Sequence, residues 1–163
     1  YSFDDTVERD LYFANIQTVG EVKLIPRGST ALNDAIAKAV IETGEYLAKL
    51  NEKDRPALVT VVIVTDGGEN SSKEYKDKSF IKKMIDEQTS KYSWHFNYLG
   101  ANQDSFAVAV QYGVQNVSNY GLDKAESVMR NFSGKMSAAR SQTSRGASVS
   151  SMSYTEEDFK ELN

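Results

Sequence analysis

Residues 58–68 read Leu-Val-Thr-Val-Val-Ile-Val-Thr-Asp-Gly-Gly, a short apolar and β-branched run that ends in a carboxylate and two glycines. Such a run is typical of a strand buried on both faces, as in a parallel sheet. Asp66 then lies at the carboxyl edge of the sheet, where ligands bind in open α/β folds. The glycines after it allow the backbone to turn sharply and to approach a ligand closely. This stretch therefore predicts a parallel α/β sheet with a binding site at Asp66.

The residues on both sides of this strand alternate between helical and strand patterns. Apolar residues at three-and-four spacing predict a helix from Leu32 to about Lys49. The later elements are predicted as one charged surface helix at 73–92, with a break near Lys78-Ser79 left open, a strand at 94–99, a helix after Asp104, a weak strand at 114–117 and a helix at 124–140. Alternation of this kind produces parallel βαβ units with right-handed crossovers. We therefore predict one doubly wound, Rossmann-like α/β domain with a mostly parallel sheet over residues 1–140, followed by a serine-rich tail at 141–163.

The first thirty residues give weaker signals. The alternation of Tyr1 and Phe3 predicts the end of a strand, residues 7–13 a second strand, and residues 22–25 a short extended piece. Thr30 follows a glycine-containing loop and is predicted to cap the helix that comes after it. Because the chain opens within a strand pattern and without an initiator methionine, we expect a fragment whose sheet is completed by an upstream segment or by another chain.

The composition excludes several kinds of site. The net charge is −4 with both signs interspersed, so the chain lacks the basic stripe typical of nucleic-acid binding. With no cysteine there is neither a disulfide nor a thiolate metal site, which favours a reducing, cytoplasmic location. A zinc hydrolase site or a Ser-His-Asp triad would have to be built around His95, the single histidine. No apolar run approaches the ~20 residues of a membrane span, and no signal peptide is visible.

Two loops are expected to lie side by side at the carboxyl edge of the sheet. One is Gly28-Ser29-Thr30, before the first long helix, and the other is Asp66-Gly67-Gly68, after the central strand. A hydroxyl beside a carboxylate provides hard oxygen ligands, which suit Mg²⁺ or Ca²⁺ and not soft metals. The sequence therefore predicts a divalent cation site that includes Thr30 and Asp66.

This combination resembles a von Willebrand factor A domain. In that family the metal-ion-dependent adhesion site comprises a D-x-S-x-S loop, a threonine in a loop before a helix, and an aspartate that ends a hydrophobic strand. Gly28-Ser29-Thr30 is similar to the threonine loop, and Val64-Thr65-Asp66-Gly67 is similar to the aspartate loop. Residues 99–104 resemble a loop of uncharacterised bacterial and phage members. The resemblance implies a Mg²⁺ site (or one for Ca²⁺ or Mn²⁺) with Thr30 and Asp66 as ligands, and a protein partner that supplies an acidic residue.

The chain departs from the family pattern at one motif. No D-x-S-x-S occurs in these residues, and the family places that loop on a strand that would precede Tyr1. The resemblance therefore implies that three of the five metal-site side chains, the first strand and the first helix lie outside the sequence. Loss of that strand would expose apolar surface and an unpaired sheet edge.

Alternatives remain open at each of these residues. Thr30 could serve only as a helix cap, and Asp66 only as a turn residue before two glycines. Ser29 and Asn70 could support the metal ligands, or could simply be polar loop residues. For function, we expect a metal-dependent binding module without enzymatic activity. The alternatives are a structural or assembly domain with a degenerate metal site and a Mg²⁺-dependent phosphoryl-transfer enzyme, for which no Walker loop or convincing general base is present.

Overall fold

A computed structural model describes residues 1–23, 25, 27–101 and 104–146. The strands are β1 (Ser2–Phe3), β2 (Val7–Glu8), β3 (Thr60–Thr65), β4 (His95–Ala101) and β5 (Asn116–Tyr120). The helices are α1 (Leu32–Lys49), α2 (Lys78–Tyr92), α3 (Ser105–Gln111) and α4 (Ala125–Ser144), with short 3₁₀ turns at Glu52–Asp54 and Leu122–Lys124. No helix in these ranges is long and apolar enough to cross a membrane.

Strands β3, β4 and β5 form a parallel sheet in that order. Thr60 pairs with His95 at the start of β3, and Asn97 pairs with Asn116 on the other side of β4. Each strand is connected to the next by a helix, as the alternating sequence pattern predicts. The prediction of an α/β fold with a parallel sheet flanked by helices is therefore confirmed at this level.

Apolar clusters cover the two faces of the sheet. The larger cluster joins α1, α2 and α3 to the sheet around Ile63, Tyr98 and Val117. The smaller cluster lies on the opposite face, where Leu99 packs with Val128 and other residues of α4. Because adjacent residues of a strand point to opposite faces, Tyr98 and Leu99 belong to different clusters. Strand β4 is consequently buried on both sides, with six of its seven residues buried.

The prediction that β3 is buried on both faces is wrong. Val62 and Val64 are 37% and 43% exposed, whereas Ile63 between them is buried. Within the described residues β3 pairs only with β4, so it is an edge strand. The register places Val62 opposite Asn97 and Val64 opposite Leu99, on the face covered by α4. Helix α4 leaves the β3 side of that face partly uncovered.

The N-terminal strands do not join this sheet. Strands β1 and β2 form a separate antiparallel hairpin, so the predicted strand at 7–13 is shorter than expected and ends at Glu8. After it the chain is irregular, and Phe13 stacks on Tyr46 of α1 with ring centroids 3.8 Å apart. The described residues 22, 23 and 25 are not in a strand, and residues 24 and 26 lie outside the description.

The helix predictions agree with the structure at some ends and differ at others. Helix α1 has the predicted bounds. Helix α2 begins only at Lys78, because the Asp77 side chain accepts a hydrogen bond from Ser79 N and caps the helix there. Helix α4 runs to Ser144, so the predicted end at 140 is too early and the predicted tail starts inside the helix. Residues 147–163 of that tail lie outside the described residues.

Candidate functional site

The two loops predicted to meet at the carboxyl edge of the sheet do meet. Thr30 N donates a hydrogen bond to Asn70 Oδ1 (2.8 Å), and Asn70 N donates one to Thr30 O (3.0 Å). The hydroxyl of Thr30 lies against Gly67, since a Cβ on Gly67 would be 3.0 Å from Thr30 Oγ1. Thr30 therefore contacts the loop immediately after Asp66.

Thr30 is not the helix cap that the sequence predicts. Helix α1 begins at Leu32 with Ala31 in the cap position, and no side chain of the helix's own segment caps it. The first turn of a helix nevertheless has free N–H groups that need acceptors. The loop after β3 supplies two of these acceptors. Asn33 N donates to Glu69 Oε2 (2.7 Å), and Asp34 N donates to Ser72 Oγ (3.1 Å). The cap is thus supplied by residues distant in sequence.

Glu69 is the centre of this contact. Besides Asn33 N, its carboxylate accepts hydrogen bonds from Ser71 N (2.9 Å), Ser72 N (2.8 Å) and Ser72 Oγ (2.7 Å). The negative charge also lies at the N-terminus of α1, where the helix dipole stabilises anions. Glu69 therefore fixes both the shape of its own loop and the attachment of that loop to α1.

Asp34 makes the reciprocal contact from the helix to the loop. Its carboxylate accepts hydrogen bonds from Lys73 N (2.7 Å), Glu74 N (3.3 Å) and Tyr75 N (2.7 Å). Partial burial raises the pKa of Asp34, but these backbone hydrogen bonds, with the charge of Lys73, outweigh it and hold the pKa below its usual value. We call the contacts of Glu69 and Asp34 the carboxylate clasp.

The hairpin turn holds the other side of the Thr30 loop. Asp4 O accepts a hydrogen bond from Ala31 N (2.6 Å), and the Asp4 carboxylate pairs with Arg27 Nε (2.8 Å). The same carboxylate accepts from the backbone N–H and hydroxyl of Thr6, and these bonds and Arg27 lower the pKa of Asp4. Asp4 therefore has a structural role at the turn between β1 and β2.

Two oxygen groups at this edge are not used by the fold. The Asp66 side chain is exposed, and neither its carboxylate nor the Thr30 hydroxyl has a hydrogen bond or ion pair with any residue that the structure describes. Burial raises the pKa of the nearby Tyr120 hydroxyl, and the negative charge of Asp66 raises that pKa further. The neighbouring carboxylates Glu69 and Asp34 are, by contrast, fully engaged. Thr30 and Asp66 therefore each present an oxygen group that is open to a ligand at this edge.

These oxygens fit a hard divalent cation in kind but not in number. A hydroxyl and a carboxylate suit Mg²⁺ or Ca²⁺, yet Mg²⁺ takes about six oxygen ligands. The part of the chain that the structure describes contains no group of three or more histidine, cysteine, aspartate or glutamate side chains arranged to hold a metal. Thr30 and Asp66 would thus be two ligands of a site that needs others.

A buried hydrogen bond joins the first turn of α1 to Tyr112, the residue directly after α3. Tyr112 Oη donates to Asn33 Oδ1 (2.7 Å), and both side chains are fully buried. Burial raises the pKa of the Tyr112 hydroxyl far above its usual value, and the charge of Glu69 adds to this effect. Asn33 therefore lies between Tyr112 and the clasp, a role that the sequence pattern of α1 did not indicate.

Comparisons with known proteins add no further support. No family model, no curated protein and no solved structure matches this chain.

Proposed function

We propose that this chain is a metal-dependent protein-binding module of the von Willebrand factor A type. The observation that carries the proposal is the contact of the Thr30 hydroxyl with Gly67, the residue directly after Asp66, at the carboxyl edge of a parallel strand. Neither this hydroxyl nor the Asp66 carboxylate has a hydrogen bond to a described residue. Thr30 and Asp66 are also the two residues that the sequence resemblance implies as metal ligands.

In this proposal the residues of the edge have distinct tasks. Thr30 and Asp66 supply oxygen ligands, and the carboxylate clasp holds the loop that carries Asp66 against the start of α1. A bound Mg²⁺, Ca²⁺ or Mn²⁺ supplies positive charge and an open coordination position for an acidic residue of a partner protein. Water fills the coordination positions that Thr30, Asp66 and the partner leave open. The module binds and does not turn over a substrate.

Loss of Asp66 is expected to weaken cation binding by the chain at least about tenfold, because even outer-shell residues change metal affinity 10–100-fold. Titration of the wild type and of Asp66→Ala with Mg²⁺ by calorimetry, and with Mn²⁺ by paramagnetic line broadening, measures the effect. Glu74→Ala is the matched control, since it removes a carboxylate of the same loop that has no hydrogen bond to a described residue. Equal binding by the wild type and Asp66→Ala, or no binding by the wild type, contradicts the proposal.

The two glycines after Asp66 give an independent test of Thr30. A Cβ on Gly67 would meet Thr30 Oγ1, whereas a Cβ on Gly68 would have no heavy atom within 4 Å. Gly67→Ala is therefore expected to displace the Thr30 hydroxyl slightly and to weaken cation binding, by less than Thr30→Ala does. Gly68→Ala changes the same residue type one position later and should bind like the wild type.

One observation favours the structural or assembly alternative. Among the described residues no strand pairs with the second edge of β3, which carries no charged residue, proline or bulge to block pairing. Val62 and Val64 are exposed beside this edge. In a parallel strand, alternate residues direct their backbone N–H and C=O groups to opposite neighbours. Because Val59 O bonds to His95 N of β4, the backbone groups of Val62 and Val64 face the free edge. An extended segment or another chain could complete the sheet there.

This alternative predicts that the chain self-associates through β3. The double substitution Val62→Lys and Val64→Lys is expected to shift sedimentation at high protein concentration towards the monomer, because a lysine on an edge strand opposes pairing. Val110→Lys is the control, since Val110 is 68% exposed but lies on α3. Association that persists in EDTA supports this alternative over a metal-dependent contact, and a wild type that stays monomeric argues against it.

A further inference from the structure

We infer that Asn70 is a positioning residue for the Thr30 hydroxyl. This inference rests on the proposed function, because it concerns how the same site is held in its binding geometry. The inference is based on two hydrogen bonds between Asn70 and the backbone of Thr30. Thr30 N donates to Asn70 Oδ1, and Asn70 N donates to Thr30 O.

The Thr30 loop needs such a support. Thr30 lies between Ser29, whose φ of 73° is in the left-handed region, and Ala31, at the start of α1. A residue other than glycine in that region costs about 1–2 kcal/mol, so the loop conformation persists only where its surroundings hold it. Ala31 is held by Asp4 O, and Thr30 is held by Asn70. Without the Asn70 side chain, Thr30 N loses its acceptor next to the strained Ser29.

The hydrogen bonds to the Thr30 backbone restrict the hydroxyl, because χ1 is the only torsion between that backbone and Oγ1. Since χ1 has only a few staggered rotamers, the place of the Thr30 backbone limits Oγ1 to a small set of positions. The residue that bonds to the Thr30 backbone, Asn70, lies in the loop that follows Asp66, four positions after it. Asn70 therefore holds the Thr30 backbone against the loop that follows Asp66 while remaining outside the site itself.

Asn70 could instead stabilise only its own turn, since its Oδ1 also accepts a hydrogen bond from Ser71 Oγ (2.6 Å). The two roles differ in what the Asn70→Ala substitution changes. A residue that serves only its turn would alter residues 68–72 and leave Thr30 as it was. A positioning residue changes the Thr30 amide first, with little change in the overall stability of the chain.

The experiment follows the Thr30 amide by NMR hydrogen exchange in the full 163-residue chain. In Asn70→Ala we expect exchange at Thr30 about tenfold faster, because a lost hydrogen bond lowers the free energy of local opening. Asn70→Asp keeps the Oδ1 acceptor and is expected to restore the wild-type rate. Asn15→Ala is the matched control, since Asn15 Oδ1 also accepts a backbone N–H, from Gln17, at a distant loop. An unchanged Thr30 rate in Asn70→Ala overturns the inference.

A second readout separates this inference from the proposed function. In the same variants, Asn70→Ala is expected to weaken Mn²⁺ binding about tenfold, the effect typical of losing a residue that orients a ligand, without lowering the melting temperature. Faster Thr30 exchange together with a wild type that binds no Mn²⁺ overturns the metal-dependent function and leaves the link between Asn70 and Thr30 in place. Faster exchange with unchanged Mn²⁺ affinity overturns the positioning role.

Discussion

The substitution Glu69→Ala is expected to lower the free energy of unfolding by about 3 kcal/mol, since hydrogen bonds to a charged group contribute about 1.5–3 kcal/mol each but are not additive. The Glu69 carboxylate accepts four of them, including Asn33 N at the start of α1. Removal of a helix cap alone costs about 1 kcal/mol. The larger value is expected here because the same carboxylate also holds the loop to which the cap belongs.

Urea unfolding monitored by circular dichroism measures this change. Glu69→Gln is expected to fall between the wild type and Glu69→Ala, because the amide keeps one acceptor oxygen and loses the charge. Glu74→Ala lies in the same loop and offers a control whose carboxylate has no hydrogen bond to a described residue, so its stability should stay within about 0.5 kcal/mol of the wild type. A Glu69→Ala protein as stable as Glu74→Ala would show that the clasp does not stabilise the fold.

The elements that the sequence predicted well are those governed by local periodicity. The bounds of α1 follow from apolar residues on one face of a helix, and the parallel sheet follows from the alternation of helices and strands. The meeting of Thr30 with the Asp66 loop also followed, because the carboxyl ends of parallel strands and the helix starts beside them share one edge.

The features that the sequence did not reveal depend on residues far apart in the chain. The valines of β3 have the composition of a buried strand, but their burial depends on which elements lie beside β3, and the described structure provides none on its free edge. Thr30 has the residue type of a cap, but the acceptor for Asn33 N in the first turn of α1 is Glu69, 36 positions after Asn33. Local propensity contains no information about such a distant donor and acceptor pair.

Asp34 provides the second half of the clasp, and its loss is expected to destabilise the chain by about 2 kcal/mol near pH 7. Three backbone N–H groups of residues 73–75 would lose their acceptor in Asp34→Ala. The expected cost is below that of Glu69→Ala because two of the three hydrogen bonds, those from Lys73 N and Glu74 N, lie at exposed positions, where solvent weakens electrostatic contributions. Asp34→Asn keeps one acceptor oxygen and is expected to retain part of the stability.

The pH dependence of stability distinguishes Asp34 from an uncharged contact. The pKa of Asp34 is lower in the folded chain than its ordinary value, so the ionised form stabilises the fold. This contribution is fully present above the unfolded pKa of about 3.9 and is lost as the pH falls through the lower, folded value. Urea midpoints measured between pH 7 and pH 2 should therefore converge for the wild type and Asp34→Asn at the acidic end. A constant difference over that range would mean that the charge of Asp34 does not hold the loop to α1.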